Sequence, residues 1–182
     1  MVNGSPSGWR RRREESRLRR ELRQIMRRAR IDSPTSMTEV CERISKIWEA
    51  PIVAAPFDLP AAGPFGLTVR YAPDPDDPGA FYILYQAVAT ALHQEHVIAH
   101  ELGHVLAKHP LKTVRDLSEI DPDDSAGALR RTSYTTGIER EAETIATLLL
   151  GSAAAQSGVA LPSASDRARS VQRALGDRVD WL

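Results

Sequence analysis

The chain has 182 residues, of which 42% are hydrophobic and 5% aromatic, so its length suits one domain with a mainly aliphatic core. Its single cysteine, Cys41, excludes an internal disulfide and an all-cysteine zinc site, and we interpret it as a small core residue of a protein in a reducing compartment. The formal net charge is zero, yet residues 1–31 hold 11 Arg and 3 Glu, so this segment carries +8 and the remainder −8.

Neither a secretory signal nor a membrane span is predicted. The N-terminal stretch is rich in arginine and lacks the apolar segment of a signal peptide. No run approaches the ~20 apolar residues that a transmembrane helix requires. We therefore expect a cytoplasmic protein that has no membrane partner.

The first predicted element is a basic helix over residues 9–30. Its apolar residues recur at three- and four-residue spacings and form one stripe: Leu18, Leu22, Ile25, Met26 and Ala29. We predict that residues 1–31 are a basic N-terminal arm and residues 32–182 the main domain. We favour docking of the stripe on that domain over direct nucleic-acid contact by residues 9–30, because the segment lacks a helix-turn-helix or zinc-finger signature.

A second helix and a sheet are predicted next. Ser36 and Glu39 match a capping box at the start of a helix that ends before Pro51. Apolar segments separated by Pro, Gly and Asp are typical of strands, and they occur at residues 52–55, 65–71 and 81–85. The expected fold class is α+β, with a small antiparallel three-stranded sheet.

The next predicted helix, residues 90–108, carries the HExxH motif His100-Glu101-Leu102-Gly103-His104. Residues four apart lie one helical turn apart, so both imidazoles project from one face and can bind one Zn²⁺. Glu101 stands beside them as the candidate general base. We expect Gly103, on the histidine face, to leave room for a metal and a ligand.

A catalytic zinc site needs a third protein ligand. Pro110 stands six residues after His104, where metzincins have a histidine, and His109 is one residue short of that position. The sequence therefore predicts that the third ligand comes from another part of the chain.

A helix predicted over residues 137–152 supplies two carboxylates for this role. Glu139 and Glu143 share one face with alanines, where two carboxylates without partners would be costly, while Glu141 points the opposite way. We assign Glu139 as the third ligand, and Glu143 as the acceptor of a hydrogen bond from a ligand imidazole. The alternative is a solvated helix on which these carboxylates are ordinary surface charge.

Two further residues are candidates for the oxyanion or for substrate contact. His96 lies one turn before His100, and Tyr134 precedes the glutamate helix. The competing interpretation is that each is an ordinary surface or core residue. A last helix is predicted over residues 165–175.

Two segments resemble the ImmA/IrrE family of metallopeptidases, a gluzincin-like group. Residues 96–104 read His-Val-Ile-Ala-His-Glu-Leu-Gly-His, and residues 139–150 are similar to the family's Glu-x-x-Ala-Asn/Asp-x-Phe-Ala pattern. The order of elements is also similar over roughly residues 33–152. The sequence departs from the family pattern at Glu143, where Asn or Asp is usual, and at Ile145, where Phe is common.

The resemblance implies a zincin-like fold, in which N-terminal helices and a short sheet precede the HExxH helix and the glutamate helix. It places the zinc ligands at His100, His104 and Glu139, and the catalytic carboxylate at Glu101. It also implies a zinc-dependent endopeptidase whose protein substrate is a helix-turn-helix transcriptional repressor. The alternative is a non-catalytic or latent binding partner of a DNA-binding regulator, as in a toxin–antitoxin or phage-type module.

Overall fold

The computed structural model describes residues 6–32, 34, 36–59, 65–120 and 136–156, and side chains from residue 13 to residue 152 within these ranges. The helix predicted over residues 165–175 lies outside the described residues, and so does Tyr134. The predictions made for them stay predictions.

The described part of the chain contains four α-helices and four strands, so the α+β class is confirmed. The helices are α1 (Pro6–Arg28), α2 (Met37–Ser45), α3 (Ala91–Leu106) and α4 (Thr136–Gln156). The strands are β1 (Ile52–Phe57), β2 (Gly66–Tyr71), β3 (Ala80–Gln86) and β4 (Lys112–Val114). None of these helices combines the length and apolar character that a membrane span requires.

The sheet is four-stranded and mixed, so the predicted three-stranded antiparallel sheet is wrong. The strand order is β1-β3-β2-β4. β2 and β3 are antiparallel, whereas β1 pairs with β3 and β4 pairs with β2 in parallel. Apolar runs locate strands, but they carry no information on which strands are neighbours or on their direction. β4 has only three residues, too few to give a pattern.

Helix α2 begins where the sequence predicts it. The Ser36 hydroxyl accepts a hydrogen bond from the backbone N–H of Glu39 at 3.1 Å, as an N-cap does. The carboxylate of Glu95 on α3 accepts from the Met37 N–H at 2.6 Å, which ties the start of α2 to α3. The apolar side of α2 then packs in the core through Met37, Val40, Cys41 and Ile44.

The apolar stripe of α1 belongs to the same core as the other helices. Leu18, Leu22, Met26 and Ala29 are buried in one cluster with residues of α2, α3 and α4. Helix α1 therefore packs on the rest of the protein with its charged side outward. The boundary between residues 31 and 32 stays a prediction.

Helices α3 and α4 pack closely at Gly103. A Cβ atom there would lie 2.7 Å from the carbonyl oxygen of Ala142, a distance that real Cβ atoms do not adopt. The glycine thus makes room for the backbone of α4. The expectation that it leaves room for a metal or a ligand is wrong. This approach brings Glu139, three residues before Ala142, to the histidine motif.

Candidate metal centre

Helix α3 presents two imidazoles to one point. The Nε2 atoms of His100 and His104 lie 3.1 Å apart, as expected for side chains one turn apart on a helix. His104 is buried, and His100 is partly exposed. Their paired nitrogens face the N-terminal part of α4.

Helix α4 adds a carboxylate to this pair. The Glu139 oxygens lie 3.4 Å from His100 Nε2 and 3.9 Å from His104 Nε2. A tetrahedral site with bonds of about 2.1 Å separates its ligand atoms by about 3.4 Å. The three ligand atoms lie within 4.8 Å of one another, so this group could hold a metal ion.

The environment of His104 favours its neutral form. Desolvation by burial, followed by the neighbouring imidazoles of His100 and His109, lowers the pKa of His104 to about 3. A neutral imidazole has a lone pair to donate to a metal, whereas the protonated ring has none. His104 is therefore in the ligand form at neutral pH.

Glu101 is a half-buried residue of α3 whose side chain faces β2. The Thr68 hydroxyl of β2 donates a hydrogen bond to its Oε2 atom at 2.7 Å. Desolvation raises the pKa of Glu101, and the Thr68 hydrogen bond and the neighbouring His100 partly oppose that rise. Gly66 makes the close packing possible, because a Cβ there would lie 2.5 Å from Cγ1 of Val97.

Glu143 lies beside both His100 and His96. Its Oε2 atom is 3.3 Å from His100 Nδ1 and 3.6 Å from His96 Nε2. His100 faces Glu139 with Nε2 and Glu143 with Nδ1. A carboxylate at the position of Glu143 could therefore accept a hydrogen bond from the Nδ1 proton and fix the tautomer of His100.

Ala142 and Ala146, on the face of α4 that carries both carboxylates, are fully buried as predicted. The side chains of Glu139 and Glu143 are 45% and 50% exposed, so the predicted burial is wrong for the two carboxylates. Their distances to the imidazoles of α3, and not their burial, distinguish these two carboxylates from ordinary surface charges.

Sequence reasoning missed Thr68, and it set aside His109 and Glu141. His109 Nδ1 lies 3.0 Å from His104 Nδ1, and His109 Nε2 lies 3.5 Å from a Glu141 oxygen. The turn after α3 creates this contact, because Lys108 adopts a φ of 55° and reverses the chain. Such turns are usually marked by glycine, so lysine at this position gave no signal.

Comparisons with protein-family models, with curated proteins and with solved structures give no match to this chain.

Proposed function

We propose that this chain is a zinc-dependent endopeptidase of the gluzincin type. The proposal depends on one observation: ligand atoms of His100, His104 and Glu139, which lie on two helices, meet within 4.8 Å of one another. Two imidazoles and one carboxylate at near-tetrahedral spacing suit Zn²⁺, and three protein ligands leave a further position for chemistry. Glu101 lies on the same helix between the two histidines.

The chain supplies the groups that peptide hydrolysis needs. A bound zinc ion supplies Lewis-acid chemistry, which activates water for attack and polarises the substrate carbonyl. Glu101 takes the proton of the attacking water and passes it to the leaving amine nitrogen. The Thr68 hydroxyl holds this carboxylate at 2.7 Å and so fixes the oxygen that does not take the proton.

The first half of β2, which lies beside Glu101, supports an extended peptide as the substrate. In the described part of the chain, β4 pairs only with residues 69–71 of β2. Residues 66–68 lie against α3 beside Glu101, and no described residue pairs with them on the β4 side, where a peptide backbone would form hydrogen bonds. The resemblance to the ImmA/IrrE family extends the proposal to a helix-turn-helix repressor as the protein that supplies this segment.

Metal analysis tests the zinc centre. Purified wild-type protein should contain zinc at a one-to-one ratio, and His104→Ala and Glu139→Ala should each lose it. His96→Ala is the matched control, because its ring contacts Glu143 but no ligand nitrogen or oxygen of the centre. Zinc content that is equal in all four proteins would show that the ion binds elsewhere.

Cleavage of a proteome-derived peptide library and of a purified helix-turn-helix repressor, followed by mass spectrometry, tests the endopeptidase activity. Glu101→Gln should retain zinc and lose activity by about 10²–10⁴-fold, as expected when a general base is removed. A wild-type protein that retains zinc and forms a complex with the repressor, but cuts neither substrate, would contradict the endopeptidase proposal. That result would favour the non-catalytic binding partner.

A further inference from the structure

A further histidine, His109, and a further carboxylate, Glu141, lie behind the candidate metal centre. His104 Nε2 faces His100 and Glu139, and its other nitrogen, Nδ1, lies 3.0 Å from His109 Nδ1. The far nitrogen of His109 lies 3.5 Å from Glu141. We propose that His109, held by Glu141, is a positioning residue that fixes the tautomer and the orientation of the metal ligand His104, an inference that rests on the proposed metal centre.

The position of each proton follows from the role of His104. To bind a metal through Nε2, a neutral His104 must carry its proton on Nδ1. That N–H then donates to His109 Nδ1, which must be an acceptor. A neutral His109 therefore carries its proton on Nε2 and donates it to the Glu141 carboxylate. The reverse arrangement would place a proton on His104 Nε2 and block metal binding.

The end of helix α3 fixes the position of His109. Its backbone N–H donates to the carbonyl of His104 at 3.0 Å, and the N–H of Lys108 donates to the carbonyl of Val105 at 3.1 Å. These two hydrogen bonds, with the positive φ of Lys108, form a Schellman motif. The motif turns the chain so that residue 109 lies beside residue 104, and the side chain of His109 is only 6% exposed.

The two metal-ligating imidazoles would thus be oriented in different ways. His100 contacts the half-exposed Glu143 directly, whereas His104 contacts the buried ring of His109, which in turn contacts Glu141. The His104–His109 contact is buried, so it excludes competing water and holds a ring more firmly than an exposed contact does. Partners of this kind typically change metal affinity about 10–100-fold when they are removed.

Zinc affinity of a ring-preserving variant tests the proposal. His109→Phe keeps an aromatic ring but removes both nitrogens, and it should weaken zinc binding about 10–100-fold in competition with a chromogenic chelator. Glu141→Gln keeps an acceptor for His109 but loses the charge, and its effect should be smaller.

His93→Phe is the matched control, since the His93 ring packs on Phe65 and contacts no ligand of the centre. The chelator-treated His109→Phe protein should still unfold in one cooperative transition, so that a weaker zinc affinity reports on the metal centre and not on loss of the fold.

NMR of the histidine nitrogens in zinc-loaded wild-type protein gives a second test without a variant. We expect protons on Nδ1 of His104 and on Nε2 of His109. A proton on His109 Nδ1, or unchanged zinc affinity in His109→Phe, would overturn the positioning role while leaving the zinc centre intact. Absence of zinc binding in the wild type would overturn the centre itself and this inference with it.

Discussion

Cys41 lies fully buried in the core, where the sequence predicted a small apolar residue. Desolvation by burial, followed by the nearby carboxylate of Glu95, raises the pKa of its thiol from 9.0 to about 12. The thiol is therefore neutral in the folded protein over a wide range of pH, and it is protected from reagents that attack thiolates.

This shift predicts a loss of stability at alkaline pH. The folded-state pKa of Cys41 lies above the unfolded value, so its contribution is complete below pH 9 and is lost as pH rises from 9 towards 12. Ionisation of the thiol in the unfolded chain lowers the free energy of unfolding by up to about 1.4 kcal/mol per pH unit. Urea unfolding at stepwise pH should therefore give a steeper decline for the wild type than for Cys41→Ala. Parallel declines above pH 9 would contradict the prediction.

The residues of the candidate metal centre could be predicted from local spacing, and the residues that contact them could not. The helical repeat fixes the direction of His100 and His104, and the spacing of a second helix places Glu139 on the face that supplies the third candidate ligand. Thr68 reaches Glu101 across 33 residues of chain. Contacts of that kind depend on how the sheet packs against the helix, which a single sequence does not encode in a readable pattern.

At the scale of elements, the candidate centre depends on how closely α3 and α4 approach. His100 and His104 belong to α3 and Glu139 to α4, so any increase in the distance between the helices separates the ligand atoms. Gly103 sets this distance, because its missing Cβ would meet the backbone of Ala142 and not a flexible side chain.

Two glycine-to-alanine substitutions should therefore have opposite effects. Gly103→Ala should lower the free energy of unfolding by roughly 1–2 kcal/mol, because overpacking outweighs the better helix propensity of alanine. It should also weaken zinc binding by displacing α4. Gly151→Ala is the matched control on α4, where a Cβ meets nothing within 4 Å, and it should raise stability by about 0.5–1 kcal/mol. Urea unfolding and zinc titration measure both, and a stabilised Gly103→Ala that binds zinc normally would contradict the close-packing argument.

Strand topology was the part of the fold that the sequence did not provide. β1 and β2 follow one another along the chain but lie on opposite sides of β3. Consecutive strands separated by turn residues favour an antiparallel arrangement, and that preference holds only for β2 and β3. The correct element types thus led to an incorrect sheet, because neighbour choice is decided by long-range packing on α2 and α3.

At the scale of the whole molecule, the packing of α1 bears on whether the basic N-terminal segment is an independent arm. Arg13, Arg20 and Arg27 lie seven residues apart on the exposed side of the helix, opposite the buried stripe. Part of the arginine charge on α1 is compensated within the helix, since Arg19 and Glu15 approach to 2.6 Å. The burial of Leu18 and Leu22 shows that this helix packs on the rest of the protein, as a helix that stabilises the core does.

Helix α1 should accordingly unfold together with the rest of the protein. Leu22→Ala should lower the free energy of unfolding by about 2–4 kcal/mol, since it removes a buried side chain from the common core. Arg20→Ala, on the exposed side, should change it by no more than about 0.5 kcal/mol. Far-ultraviolet circular dichroism and tryptophan fluorescence should report one shared urea transition for each variant, and neither should alter retention on a DNA column. Two results together would instead identify α1 as an independent nucleic-acid-binding arm. One is a separate early helical transition that is still present in Leu22→Ala, and the other is weaker DNA retention of Arg20→Ala.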